Sequence, residues 1–146
     1  MSARWPDSGD LVRRQGNTMS QICPFCKLEQ GRAFLENDLA LALRDGFPVS
    51  PGHTLVIPKR HIGSLFEATA EERRALFDLL AAAQSRLLES HRPDGFNIGI
   101  NDGAAAGQTV MHLHIHLIPR YAGDVADPRG GVRWIFPDKA PYWKDQ

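Results

Sequence analysis

A single domain mixing one long helix with several short strands is what this sequence predicts, and three observations carry the prediction. Leu76, Phe77, Leu79, Leu80, Ala83, Leu87 and Leu88 recur at three- and four-residue spacing, the period of an amphipathic helix. Elsewhere, runs of four to eight residues alternate or cluster apolar side chains between turn residues, which is the strand pattern. The chain of 146 residues suffices for one compact domain burying roughly 70% of its unfolded surface.

Residues 1–20 are rich in Ser, Gly, Arg and Asp without periodicity, and read as a flexible arm ahead of a domain over 21–146; Met19 is an alternative start. Cys23-Pro24-Phe25-Cys26 has the two-residue spacing of a zinc knuckle and of redox dithiols. Polar residues precede it where a redox dithiol needs a hydrophobic strand, which favours zinc. Two further ligands are then needed, and His53, His61, His91 and His112 are available. Ala33 to Glu36 and Leu39 to Arg44, separated by Asn37-Asp38, read as a hairpin. Turn residues Asp45 to Gly52 lead to a strand from His53 that ends at Pro58, because proline cannot donate to a ladder.

Thr69 followed by Glu72 is a capping box that starts the helix, which runs to about Ser90. Arg92 to Gly95 turns the chain into a strand over Phe96 to Asn101. Small residues from Asp102 to Gly107 form a loop where a ligand can approach backbone. A strand over His112 to Pro119 follows, then a basic loop and a tail with Trp134, Phe136, Tyr142 and Trp143, aromatics suited to sealing a core edge or a subunit interface.

Seventeen basic residues balance seventeen acidic ones, so no overall field draws nucleic acid or an anionic membrane. No apolar run reaches a membrane span, and no secretory leader is legible. Two cysteines three positions apart suit a reducing compartment. The expectation is a cytoplasmic protein without nucleic-acid or membrane partners.

Alternation in His112-Leu113-His114-Ile115-His116-Leu117 places three imidazoles on one face of a strand and three aliphatic side chains on the other. A structural strand gains nothing from titratable rings in that pattern. Two chemistries use it: one metal ion held by alternate histidines, or a neutral central imidazole attacking an electrophile while its neighbours orient it.

The run His112 to Ile118 resembles the signature of the histidine triad (HIT) superfamily, and Pro48-Val49-Ser50-Pro51-Gly52-His53-Thr54-Leu55-Val56-Ile57-Pro58-Lys59 resembles its upstream strand. The likeness extends through Asn101-Asp102-Gly103 and Ala106 to Val110, covers about residues 22 to 121, and is nearest to bacterial dinucleoside polyphosphate hydrolase-like members. It implies an α+β fold with about five antiparallel strands, one long helix and short helices, usually as a homodimer. It also implies nucleotidyl chemistry, with His114 as nucleophile, His112 and His116 as flanking partners and His53 in support. Nucleotide contacts would fall on Asp45, Asn101, Gly107, Gln108, Thr109 and His116. For Asp45 the plain turn reading stands beside the ribose one. Zinc-bearing members would place a structural Zn²⁺ on Cys23, Cys26, His61 and His112, with no catalytic metal required at the triad.

The leading expectation is a hydrolase cleaving at the α-phosphorus of a dinucleoside polyphosphate. A nucleoside phosphoramidase, a nucleotide-binding sensor without turnover and a three-histidine metal enzyme are the alternatives.

Overall fold

The computed structural model describes residues 23–145; the arm assigned to residues 1–20 lies outside them. Five antiparallel strands form one sheet: β1 (Ala33–Glu36), β2 (Ala40–Arg44), β3 (Thr54–Pro58), β4 (Gly95–Gly99) and β5 (Ile115–Arg120), in the order β1-β2-β3-β5-β4. One long helix, α1 (Ala70–Ser90), and several short 3₁₀ turns complete an α+β fold. No helix among the described residues is long and apolar enough to cross a membrane.

The pleat sorts side chains to two faces. Ala40 and Ala42 of β2, Val56 of β3, and Leu113, Ile115 and Leu117 pack against Leu76, Leu79, Leu80, Ala83 and Leu87 of α1. Alanines on the strand and on the helix keep the two layers close. The alternate residues Leu43, Leu55 and Ile57 turn to the other face, where Phe25, Leu28 and Leu41 cover them. His116 lies opposite Leu55 in the β3–β5 register, so it too faces away from α1. The N-terminal segment thus covers the face that carries the histidines.

The Asn37 side chain fixes the β1–β2 hairpin, accepting from the amides of Leu39 and Ala40 and donating to the Ala75 carbonyl of α1. Between β2 and β3, Asp45 N–H donates to His53 O, closing the loop that carries both residues. Ser50-Pro51-Gly52-His53 within it has the signature of a type II turn. His53 N–H donates to Ser50 O, proline occupies the second position, and Gly52 takes φ 87°.

Helix α1 begins as its sequence dictates, with the Thr69 hydroxyl accepting from Glu72 N–H and the Glu72 carboxylate accepting from Thr69 N–H. Arg60 adds a two-point contact to the same carboxylate at 2.7 and 2.9 Å, and this partner, with the Thr69 amide, pulls the Glu72 carboxyl from 4.5 down to about 2. A carboxylate more acidic in the folded than in the unfolded chain stabilises the fold above its unfolded value and loses that contribution as pH falls through its folded one. Thermal melts should therefore show the wild type losing its advantage over Glu72→Gln between pH 4.5 and about 2. Parallel pH dependence of the two proteins across that window would contradict the assignment.

Candidate active site and metal cluster

The triad does not occupy one regular strand. Strand β5 starts only at Ile115, because Leu113 N–H donates to Ile62 O at 2.6 Å instead of to β3. Expected to extend from His112, the strand instead leaves His112 and His114 on the irregular approach to it, and both are buried, at 0% and 8% exposure. Two separate environments result.

His112 points its Nδ1 at the cysteines. Its distances are 3.5 Å to Cys23 Sγ, 3.6 Å to Cys26 Sγ and 3.2 Å to His61 Nδ1, and Cys26 Sγ lies 3.1 Å from His61 Nδ1. Tetrahedral Zn²⁺ with bonds of about 2.0–2.3 Å sets its ligand atoms roughly 3.3–3.8 Å apart. The two cysteine distances from His112 lie in that range and the two from His61 fall just short of it, so the donor set suits the ion after a small separation of His61. The far nitrogen agrees: His112 Nε2 is 2.8 Å from the Pro58 carbonyl, which can only accept, so the ring proton sits on Nε2 and Nδ1 keeps its lone pair. Burial favours neutral His112, the form a metal requires. Cys23, Cys26, His61 and His112 are thus one of two groups with metal-ligating composition among the described residues.

His114 and His116 face a cavity of about 510 Å³ on the side of the sheet away from α1. Asp45, His53, Asn101, Gly107 and Thr109 line it with them. Gln108 does not: its amide donates to Gly63 O and Val110 O and accepts from Gly103 N–H. That side chain, expected at a ligand, braces the 101–110 loop in this arrangement, giving both amide hydrogens to backbone carbonyls and one oxygen lone pair to the Gly103 amide. Asp45 takes the turn role, Oδ1 accepting from Phe47 N–H, while its Oδ2 lies 3.4 Å from His53 Nε2 at the cavity wall.

The apolar end of the cavity is formed by Pro24, Phe25, Leu43 and Leu55. Sequence reasoning did not single out Phe25. Its ring stands edge-on to both His112 and His114, with centroids 5.7 and 5.5 Å away. The signal was its position between the two cysteines, which fixes it beside whatever the knuckle packs against.

Around the cavity, His114 Nδ1 lies 2.8 Å from its neighbour's carbonyl, His112 O. A proton must occupy Nδ1, so in the neutral ring Nε2 is the nitrogen with the unshared pair. His53 is 3% exposed, and its Nε2 sits 2.9 Å from His116 Nδ1. Burial lowers the pKa of both rings; Asp45 opposes the shift at each, while His114 and His53 add to it at His116. The three triad rings therefore do not converge on one point: His112 serves the cysteine cluster, whereas His114 and His116 serve the cavity.

These observations meet independent likenesses. The HIT domain model matches residues 28–123. Adenylylsulfatase HINT3 of Arabidopsis thaliana is 36% identical over 121 residues, 80% of this chain and 61% of that protein. AP-4-A phosphorylase of Mycobacterium tuberculosis is 33% identical over 120 residues, 77% of this chain and 62% of that protein. The chain thus spans about three fifths of the length of each. A Zn-bound histidine triad family protein of Mycobacterium smegmatis superposes with a TM-score of 0.61 at 38% identity, covering 74% of this chain and 81% of that one. The motif, the strand order and the matched domain agree, and the chain belongs to the HIT domain family.

Proposed function

We propose that this chain is a nucleotidyl hydrolase acting at the α-phosphorus of a dinucleoside polyphosphate or a closely related nucleotide. The observation that carries the reading is the His114–His112 carbonyl contact, which fixes a ring proton on Nδ1 and leaves Nε2 as the nitrogen available for attack at a cavity wall. A relative's name, AP-4-A phosphorylase, supports the substrate class.

In this mechanism His114 Nε2 forms a bond to phosphorus as the bond from phosphorus to the leaving phosphate oxygen breaks. The departing nucleotide leaves as an anion and needs no proton. Positive charge gathers on the His114 ring, and the His112 carbonyl at Nδ1–H stabilises it. Asn101, Thr109 and the amides near Gly107 surround the place where phosphoryl oxygens would lie. Water then attacks phosphorus, the P–N bond breaks, its electron pair returns to Nε2, and the water proton passes to solvent.

Intact-protein mass spectrometry after an acid-free quench with a diadenosine polyphosphate tests the first step. An AMP-sized adduct on the wild type is expected, and turnover without any adduct, abolished by chelator, would replace this reading with a metal-dependent one.

The knuckle is read as a structural zinc site, where the ion would bind Cys23, Cys26, His61 and His112 and brace the wall carrying Phe25. One zinc per chain is expected by elemental analysis. It should be lost in Cys23→Ser and His61→Ala and retained in His114→Ala; the opposite pattern would move the metal to the triad. A homodimer goes with the reading. The free edge of β4, with Ile98 half exposed on it, supports this, and sedimentation velocity decides it.

A further inference from the structure

Asp45, His53 and His116 are the second group with metal-ligating composition among the described residues. Whether they hold a cation or a proton chain turns on the other nitrogen of His53. A histidine bound to metal through Nε2 carries its proton on Nδ1 and needs an acceptor there. At His53 the opposite partner is present: Val49 N–H donates to Nδ1 at 3.2 Å. Two N–H groups cannot face each other at that distance, so Nδ1 holds a lone pair and the proton of the neutral ring sits on Nε2. That proton lies on the 2.9 Å line to His116 Nδ1 and beside Asp45 Oδ2 at 3.4 Å. His116 Nδ1 therefore accepts, and its own proton sits on Nε2.

The geometry points to the backbone amide of Val49 as a positioning group that sets the tautomer of His53 and, through it, makes His116 an Nε2–H donor toward the catalytic cavity. Its effect is complementary to the one at His114. There a backbone carbonyl puts the proton on Nδ1 and frees Nε2; at His53 a backbone N–H does the reverse, and His116 inherits a donating Nε2. A nucleophilic pair and a hydrogen-bond donor thus stand on neighbouring rings, 5.1 Å apart between centroids. Neither ring needs a net charge for this, in keeping with the burial that favours neutral His53 and His116.

The sequence supplies the means to hold that amide. Pro48 and Pro51 flank Val49-Ser50, the type II turn at 50–53 returns the His53 ring beneath Val49, and the loop is tied down twice. Ser50 Oγ donates to Pro119 O at 2.7 Å, and Tyr121 Oη donates to Pro51 O at 2.7 Å. The Val49 side chain itself is exposed, so its contribution to the relay is the amide alone.

The functional consequence rests on the hydrolase reading, but the test does not. Two-bond ¹H–¹⁵N spectra of the imidazole rings, recorded without substrate near neutral pH, report the tautomer of each histidine directly. His53 and His116 are expected as neutral Nε2–H rings in the wild type and in Val49→Ala, which keeps the amide. Val49→Pro, which removes the donor, should lose the single His53 tautomer, and kcat should fall about tenfold with KM little changed, the size of one lost hydrogen bond. A wild-type His53 found as Nδ1–H, as metal ligation at Nε2 would also require, or as the doubly protonated ring overturns the proposal without any variant. So does a Val49→Pro protein with unaltered ring spectra. Should no hydrolytic activity be found, the spectra still decide the assignment, and the hydrolase reading fails on its own.

Discussion

His114→Ala is expected to lose at least about a thousandfold in kcat, because it removes the proposed nucleophile, and bulk water must then act without covalent help. The cavity survives the change. Phe25, Leu43 and Leu55 at the apolar end and Asp45 and Asn101 at the polar end do not depend on the His114 ring for their backbone positions. Nucleotide affinity, measured by calorimetry with a non-hydrolysable analogue, should therefore stay within a few-fold of wild type. Loss of binding together with retained hydrolysis would sink the assignment of His114 as nucleophile.

Gly52→Ala is expected to cost about 2–4 kcal/mol of folding stability, lowering the melting temperature by about 10 °C for a domain of this size. Two penalties add. A backbone at φ 87° suits glycine, and an added Cβ would lie 2.8 Å from Leu87 Cδ2 and 3.1 Å from the His91 ring. Leu87 is wholly buried in the helix–sheet core, so its methyl has nowhere to retreat. Gly46→Ala, in the same loop but with no atom within 4 Å of the added carbon, should change stability by less than about 0.5 kcal/mol. Equal melting temperatures for the two variants would refute the packing argument.

Local chemistry is the part of this molecule that could be read from its residues in order. Thr69 and Glu72 mark the start of α1 because a capping box needs only neighbours three apart, and the aliphatic members of the triplet reach the core because alternation is a property of the chain itself. Contacts made across the chain were less legible. That β5 begins at Ile115 depends on Ile62 taking the Leu113 amide. Gln108 is spent on backbone groups of Gly63, Gly103 and Val110. No spacing in the sequence announces either. Backbone donors are the least legible of all, since the Val49 amide would be there for any residue but proline after Pro48.

Placing β5 between β3 and β4 has a consequence for the time course of folding. The hairpins β1–β2 and β2–β3 and the helix form from residues close in sequence, whereas the His53–His116 contact joins positions 63 residues apart. Loops of that length close slowly relative to local structure. The cavity therefore comes into being with the last insertion of a strand, and during refolding nucleotide binding should return with global tertiary order, well after the helical signal. A chain interrupted between α1 and β5 would keep Asp45 and His53 but lack His114 and His116, and with them the far wall of the cavity.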